Sequence, residues 1–331
     1  MPVVTVLLTE ATKQLVFSAE TASRLAGLAE VRYAEGPASS WDLAALLDGA
    51  VACVTGWGTP RLEQDVLDVS PSLRLIAHTA GSIRNLLPQD AVGRQVRVAQ
   101  AAAVIAESVA ELVILQMLSS LRELHRLDHG LKNGKTWTEL RTAFPGRLLG
   151  SQVVGLVGAS RTGRAVLELL KPFGCEVLVT DPLLSAAEAA RLGAELVDLD
   201  TLLLRSDVVS LHVPLLPETE GMIGARELAL LRDGVLFVNS ARGKLVDGDA
   251  LLAELHSGRI RAALDVFPAE PLPEDSEWRQ LAEPILSPHS AGHTIESHRI
   301  QGAEMVGEIE RLLGGEPLRY EVSAESVAVL A

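Results

Sequence analysis

Three short segments in the second half of the chain carry side chains suited to acid–base and anion-binding chemistry. They read N-S-A-R-G-K-L-V-D, L-D-V-F-P-A-E-P-L and L-S-P-H-S-A-G, and they contain Arg242, Glu270 and His289. Each follows an apolar run that predicts a buried strand. Because the carboxyl ends of parallel strands meet at one edge of a sheet, we expect the three side chains to converge there. Singly, each has an ordinary alternative: a surface turn, a solvated carboxylate and an isolated histidine.

These residue types fit hydride transfer to a 2-oxo acid. A planar arginine such as Arg242 binds a carboxylate through two parallel hydrogen bonds. A histidine such as His289 supplies, near neutral pH, the proton that the carbonyl oxygen takes up. A carboxylate such as Glu270 orients the imidazolium and stabilises it. The three residues together therefore predict a reductase of 2-oxo acids.

Upstream of these segments, residues 152–163 read Q-V-V-G-L-V-G-A-S-R-T-G. The pattern predicts a buried strand, a tight turn and the first turn of a helix, whose N-terminus offers free N–H groups to a pyrophosphate. The dinucleotide fingerprint has three glycines, and this chain has Gly158, Ser160 and Gly163 at those positions. The Cβ of Ser160 would crowd a pyrophosphate, whereas its hydroxyl would donate to one. A plain strand-to-helix turn is the alternative for this stretch alone.

Asp181 lies 18 residues after Gly163, directly before Pro182. A carboxylate near this spacing binds the ribose hydroxyls of NAD and repels the extra phosphate of NADP. No arginine follows Asp181 directly, so the sequence predicts NAD as the cofactor. The alternative is an aspartate that ends a strand before a turn.

Strands that alternate with helices must position these residues. The 331-residue chain exceeds what one core usually supports. We predict an α/β fold with two Rossmann-like or flavodoxin-like parallel-sheet domains and a cleft between them. Residues 1–100 plus 298–331 would form a discontinuous substrate-binding domain, and residues 101–297 the NAD-binding domain. We also expect one long helix over 101–127, a loop over 130–145, and a segment, 316–322, that packs back on the first domain.

Composition limits the classes of partner. The net charge of −14 argues against nucleic acid and anionic membranes. Cys53 and Cys175 show no metal-type spacing, so we expect buried, reduced thiols and no metal site. The N-terminal apolar run reads as a strand and not as a signal peptide, and no run of 18 apolar residues predicts a membrane span. These features predict a cytoplasmic protein.

The motifs resemble those of the D-isomer-specific, NAD-dependent 2-hydroxyacid dehydrogenase family. G-L-V-G-A-S-R-T-G-R-A-V, D-P, L-H-V-P-L-L-P-E-T, V-N-S-A-R-G-K-L-V-D, L-D-V-F-P-A-E-P-L and S-P-H-S-A-G-H-T match in order and spacing. In the first domain, L-I-A-H-T-A-G-S-I-R-N resembles the substrate loop of the family. The match runs from about residue 50 to residue 322.

The resemblance implies interconversion of a 2-oxo acid and a D-2-hydroxy acid by a homodimer. Arg242 would bind the substrate carboxylate, His289 would be the general acid and base, and Glu270 would pair with it. Backbone N–H groups of Ala80, Gly81 and Ser82 would cradle the carboxylate, and Asp265 would hold the nicotinamide carboxamide. Cofactor contacts are predicted for Gly158, Ser160, Arg161, Thr162, Gly163, Asp181, Val213, Pro214, Ser240, Ala241, Asp265 and Gly292.

Two other functions remain open on the sequence alone. The resembled family includes NAD(H)-sensing transcriptional corepressors that keep the same three residues, so the chain could bind partners without significant turnover. A weaker alternative keeps the fold and changes the hydride donor, as in formate or phosphite oxidation.

Overall fold

The computed structural model describes residues 1–93 and 96–323, and the predicted reach of the first domain to residue 331 therefore extends outside the described residues. The chain divides into two compact units. Residues 1–105 and the segment from His293 onward form the first unit, and residues 106–292 form the second.

Strands and helices alternate along both units. In chain order the elements are β1 (Val3–Leu7), α1 (Glu10–Val16), α2 (Ala19–Leu28), β2 (Glu30–Tyr33), α3 (Leu43–Leu47), β3 (Ala50–Thr55), α4 (Gln64–Asp68), β4 (Leu75–His78), β5 (Arg97–Gln100), α5 (Ala102–Leu121), α6 (Leu124–Lys132), α7 (Trp137–Ala143), β6 (Val153–Val157), α8 (Arg161–Leu170), β7 (Glu176–Thr180), α9 (Ala186–Leu192), β8 (Glu195–Leu196), α10 (Leu199–Arg205), β9 (Val208–Leu211), α11 (Ala225–Leu230), β10 (Leu236–Asn239), α12 (Gly248–Ser257), β11 (Arg261–Leu264), β12 (Ile285–Leu286) and α13 (Ile295–Gly314).

The first unit is built on a five-stranded sheet of order β2-β1-β3-β4-β5, in which the strand pairings are parallel. Both faces of the sheet are buried. Ala52 and Val54 of β3 belong to the core cluster on one face, and Cys53 belongs to the cluster on the other. This alternation follows from the two-residue side-chain period of a strand, and it explains why the strands read as continuous apolar runs.

The C-terminal segment returns to this sheet, as predicted. Glu321 forms an antiparallel bridge with Ala99 of β5, and the Val322 N–H donates to the Val98 carbonyl at 2.8 Å. The carboxylate of the fully buried Glu308, on α13, accepts the backbone N–H groups of Arg319 at 2.9 Å and Tyr320 at 3.1 Å. The segment is therefore tied both to the sheet edge and to α13.

The second unit is built on a seven-stranded parallel sheet of order β12-β11-β10-β9-β6-β7-β8. The chain enters the sheet at the interior strand β6, runs outward to β8, and then returns to β9 on the other side of β6. This reversal is a topological switch point, where open α/β sheets bind ligands beyond the carboxyl ends of the strands. The two parallel sheets confirm the predicted fold class.

Two element predictions are wrong. The predicted single helix over 101–127 is two helices, because Glu123 adopts a left-handed conformation with φ of 54° and separates α5 from α6. The predicted loop over 130–145 contains α7, which is stabilised by a capping box between Thr136 and Glu139.

Helix α5 is long and apolar enough, by length and composition, to cross a membrane. One such helix is weak support for a membrane span, because the core helix of a globular unit meets the same criterion. The buried residues of α5, among them Ala110, Val113 and Met117, pack into a core cluster of the second unit.

Candidate active site

The turn between β6 and α8 is shaped by two glycines. Gly158 has φ of +99°, and a Cβ on it would lie 2.7 Å from Val213 Cγ1 and 2.8 Å from the His212 carbonyl oxygen. A Cβ on Gly163 would lie 2.4 Å from the Gly158 carbonyl oxygen. Any larger residue would therefore push the helix away from the turn or displace the segment after β9. This close packing is what the first and third glycines of a dinucleotide fingerprint provide.

Ser160 occupies the middle position of the fingerprint without strain. Its φ of −60° is accessible to any residue, and its Oγ accepts the Gly163 N–H at 3.3 Å as the N-cap of α8. The hydroxyl oxygen is thus directed toward the helix N-terminus, and its own hydrogen remains available to donate to an anion. Arg161 and Thr162 are the first two residues of α8 and lie at the positive end of its dipole.

Asp181 follows β7 and braces the same turn. Its Oδ2 accepts the Ala159 N–H at 2.7 Å, and its Oδ1 accepts the Leu183 N–H at 2.8 Å. The carboxylate therefore holds the turn against the end of β7, a role that the sequence did not suggest. Each oxygen keeps a second lone pair for a hydroxyl donor. Asp181 and Pro182 also line an open cavity of about 720 Å³.

The segments after β9 and β10 lie at the same edge of the sheet. Val213 and Pro214 follow β9, and the side chain of Val213 packs against the turn at Gly158. Ser240 and Ala241 follow β10; the Ser240 hydroxyl donates to Gln116 Oε1 of α5 at 2.9 Å. The predicted cofactor residue Gly292 is the last residue of the second unit.

Arg242 is carried by a braced loop after β10. Asn239 donates from Nδ2 to the Arg242 carbonyl at 2.9 Å and accepts the Ala241 N–H on Oδ1 at 3.0 Å. A Cβ on Gly243 would lie only 2.0 Å from the Phe267 carbonyl carbon. The Arg242 loop and the loop after β11 therefore cross in backbone contact, which only glycine permits. The guanidinium donates from Nη1 to the Ala241 carbonyl at 2.6 Å.

His289 and Glu270 meet directly, as predicted. His289 Nδ1 lies 2.6 Å from Glu270 Oε2, and Glu270 Oε1 accepts the Phe267 N–H at 2.9 Å. Because a carboxylate only accepts hydrogen bonds, Nδ1 carries the proton in this contact and Nε2 is the ring atom left to give or take one. The His289 side chain is 50% exposed, so Nε2 can be reached from outside the unit.

A cavity of about 580 Å³ lies beside this pair. Its walls include Phe267, Leu272 and Leu286 together with His289 and Glu270. The histidine–carboxylate pair therefore borders a cavity whose other walls are largely apolar.

Asp265 is fully buried directly after β11. Its carboxylate accepts hydrogen bonds from the Ser287 hydroxyl at 2.6 Å and from the Ser290 and Ala291 N–H groups, each at 2.9 Å. The Asp265 backbone carbonyl accepts the His289 N–H at 2.7 Å. The contacts of Asp265 therefore run to the loop that carries His289.

The predicted carboxylate cradle belongs to the first unit. Ala80, Gly81 and Ser82 follow His78, the last residue of β4. Burial lowers the pKa of His78 to about 4, while a hydrogen bond with the Ser82 backbone acts in the opposite direction. His78 Nδ1 also lies 3.0 Å from Thr55 Oγ1. A neutral, buried histidine thus anchors the start of this loop.

The structure brings several predicted residues together on one sheet edge of the second unit. The crossing at Gly243 joins the loops that carry Arg242 and Glu270, and Glu270 contacts His289. Sequence reasoning missed Asn239, Gln116 and Ser287, whose hydrogen bonds brace these loops. Asn239 lies inside the V-N-S-A-R-G motif, and this position could have indicated its role in bracing the loop that carries Arg242.

Fold and site together define a two-unit parallel α/β protein with a dinucleotide-type turn and a histidine–carboxylate pair on one sheet edge. Residues 114–291 match the family model described as the NAD binding domain of D-isomer specific 2-hydroxyacid dehydrogenases. The chain belongs to the D-isomer specific 2-hydroxyacid dehydrogenase family, as the motifs predicted.

Relatives within the family carry several names. The chain is 35% identical to a D-3-phosphoglycerate dehydrogenase of Mycobacterium tuberculosis over 89% of this chain and 55% of that protein. It is 36% identical to a hydroxypyruvate reductase of Thermotoga maritima over 77% of this chain and 82% of that protein. A crystal structure of a phosphoglycerate oxidoreductase from Rhizobium etli matches with a TM-score of 0.80 at 27% identity, over 98% of this chain and 99% of that one. The chain spans about half the length of the phosphoglycerate dehydrogenases that it matches.

Proposed function

We propose that this protein is an NAD-dependent oxidoreductase that interconverts a small 2-oxo acid and the corresponding D-2-hydroxy acid. The observation that carries the proposal is the 2.6 Å contact between His289 Nδ1 and Glu270 Oε2 in the unit that matches an NAD binding domain. It leaves Nε2 as a proton donor at the edge where the nucleotide turn lies. The names of the relatives, which are dehydrogenases and reductases, support the same reaction class.

The residues at the turn fit NAD. Gly158 and Gly163 allow the tight turn and the close packing of α8 against it, and Ser160 with the N-terminus of α8 offers donors to a pyrophosphate. Asp181 at the end of β7 offers acceptors to ribose hydroxyls and opposes a further phosphate. We assign Arg161, Thr162, Val213, Pro214, Ser240, Ala241, Asp265 and Gly292 to the same cofactor site. When bound, the reduced cofactor supplies the hydride that reduces the carbonyl carbon.

The chain's own residues bind and protonate the substrate in this proposal. Arg242 binds the substrate carboxylate and polarises the carbonyl, and the N–H groups of Ala80, Gly81 and Ser82 also hold the carboxylate. His289 Nε2 gives a proton to the carbonyl oxygen during reduction and takes it back during oxidation. Glu270 keeps the Nδ1 proton in place and stabilises the imidazolium, so that Nε2 remains the reactive atom.

A substrate panel tests the reaction. NADH oxidation is followed with glyoxylate, hydroxypyruvate, pyruvate and bulkier 2-oxo acids, and NADPH replaces NADH in a parallel series. We expect turnover of at least one small 2-oxo acid, with NADH preferred because of Asp181. A protein that binds NADH and turns over none of these acids would overturn the proposal.

We further propose that the protein is a cytoplasmic homodimer. Large apolar side chains of the second unit are exposed on α5 and α6, including Leu115 at 56% and Leu124 at 58%, and both line a cavity of about 420 Å³. Exposed apolar clusters of this kind favour burial against a second copy. The two cysteines, Cys53 and Cys175, are unpaired, as is usual in a reducing compartment.

A further inference from the structure

The backbone of His289 is held in an uncommon conformation. Its φ is +51°, in the left-handed region that residues with a Cβ rarely adopt. Such a conformation persists where surrounding contacts over-determine it, and it is frequent at active sites. In this conformation the His289 ring reaches Glu270. The contacts that maintain it should therefore control the proton-transfer residue.

Those contacts converge on one buried residue, Asp265. The Asp265 carboxylate is fully buried and accepts the Ser287 hydroxyl at 2.6 Å, the Ser290 N–H at 2.9 Å and the Ala291 N–H at 2.9 Å. The Ser290 hydroxyl adds a longer contact of 3.3 Å. Since the Asp265 carbonyl also takes the His289 N–H at 2.7 Å, one residue holds the backbone on both sides of His289.

Among these donors, Ser287 is the one whose side chain can be tested separately. The other short contacts use backbone N–H groups, and the Ser290 hydroxyl is the longest of the set. Ser287 also fixes the start of the loop, because its N–H donates to the Leu264 carbonyl of β11 at 2.9 Å. Its hydroxyl therefore connects the end of the sheet to the Asp265 carboxylate.

We propose that Ser287 is a positioning residue for the reaction proposed above: its hydroxyl orients the Asp265 carboxylate, which locks the loop that carries His289. Ser287 does not touch the reacting atoms in this assignment. Loss of its hydroxyl leaves the Asp265 carboxylate held only by Ser290 and Ala291, without the hydrogen bond that ties it to the start of the loop. The backbone of His289 then populates other conformations besides the left-handed one. As a result, the fraction of molecules with the His289–Glu270 contact falls. The inference rests on the proposed function for its catalytic consequence only.

Three variants separate this role from a general packing effect. Ser287→Ala removes the hydroxyl, and Ser287→Thr keeps it. Ser210→Ala is the matched control: Ser210 is fully buried in β9 of the same sheet, and its Oγ has no hydrogen-bond partner within the described ranges 1–93 and 96–323. The same chemical change is therefore made in the same unit with and without a hydrogen bond to lose.

Steady-state kinetics with NADH and the best 2-oxo acid of the panel give the first readout. We expect Ser287→Ala to lower kcat roughly tenfold, as loss of one buried hydrogen bond predicts, with the KM of the 2-oxo acid changed by less than about twofold. Ser287→Thr should restore kcat to within about threefold of the wild type. Equal loss in Ser210→Ala, or no rescue by threonine, would overturn the assignment.

Amide hydrogen exchange gives a second readout that needs no turnover. The N–H groups of His289, Ser290 and Ala291 should exchange roughly tenfold faster in Ser287→Ala and at the wild-type rate in Ser210→Ala. If no 2-oxo acid is reduced, the proposed function fails. The exchange data still test whether the Ser287 hydroxyl and the Asp265 carboxylate hold the loop that carries His289. If exchange and kcat both stay at wild-type values in Ser287→Ala, the positioning role of Ser287 is refuted.

Discussion

At the scale of single residues, the proposed chemistry depends on the pairing of His289 with Glu270. Replacement of His289 by glutamine removes the proton donor and leaves the nucleotide turn intact. We expect kcat to fall by roughly 10²–10⁴-fold, the usual contribution of general acid–base catalysis. NADH affinity, measured by fluorescence titration, should stay within about twofold of the wild type, because His289 is not assigned to cofactor binding.

The control for this substitution is His256→Gln, on the exposed side of α12. It repeats the chemical change away from the sheet edge and should leave kcat unchanged. Glu270→Gln should also lower kcat strongly, because the amide leaves the geometry intact but neither keeps the proton on Nδ1 nor stabilises the imidazolium. Full activity in His289→Gln would show that His289 is not the general acid and base of the reaction.

Ser160 gives a second prediction at this scale, and the structure gives it a direction. Its Oγ accepts the Gly163 N–H, so the hydroxyl hydrogen remains for a phosphate oxygen. Glycine is also an acceptable N-cap, so Ser160→Gly removes this donor at little cost to α8. We expect NADH to bind roughly five- to tenfold more weakly to the glycine variant, as loss of one hydrogen bond predicts.

Isothermal titration with NADH, together with a thermal melt, checks the Ser160 prediction. The melting temperature should change little in Ser160→Gly and fall more in Ser160→Ala, since alanine is a poor N-cap. Tighter NADH binding in Ser160→Gly would show that the Cβ merely crowds the pyrophosphate.

At the scale of elements, two buried histidines at the carboxyl ends of strands make stability depend on pH. Burial lowers the pKa of His78, at the end of β4, and of His212, after β9, to about 4 in each case. The unfolded chain, with a histidine pKa near 6.5, binds more protons than the folded chain between these values, so stability rises with pH. We expect the free energy of unfolding to fall as the pH drops from about 6.5 to about 4, by roughly 3 kcal/mol per histidine at most.

Chemical denaturation at several pH values checks this expectation. His212→Gln should flatten the acid limb of the stability curve, because it removes one titrating group. If the acid limb keeps its full slope in His212→Gln, buried His212 does not cause the loss of stability at low pH. The titration of carboxylates would then account for that loss.

The helices and strands also differ in whether the sequence alone predicts them. Apolar runs located the strands, because strands buried on both faces need them. The break at Glu123 escaped prediction, since no glycine or proline marks it in the sequence and the 3.1 Å ion pair of Glu123 with Arg261 is a tertiary contact. Helix α7 was missed although its capping box was readable as T-W-T-E, because the segment is short and polar.

The contacts of the candidate site likewise fall into those that the sequence predicted and those that it did not. Motif spacing predicted that Glu270 and His289 would meet, because parallel strands end at one edge. The contacts of Asp265 with Ser287 and Ala291 depend on the backbone path of a loop, which no local pattern specifies. The bracing of the turn by Asp181 likewise requires the distance from β7 to Ala159, a tertiary property.

At the scale of the whole molecule, the proposed homodimer gives the last prediction. Leu115 of α5 and Leu124 of α6 are more than half exposed and share the walls of one cavity, so a charge at both positions would make its burial against a second copy unfavourable. We expect the wild type to sediment as a dimer at micromolar concentration and the Leu115→Glu, Leu124→Glu double variant as a folded monomer. Leu183→Glu, at an 87% exposed leucine after β7, is the control and should remain dimeric. A monomeric wild type, or a double variant that still dimerises, would place the interface elsewhere or remove it.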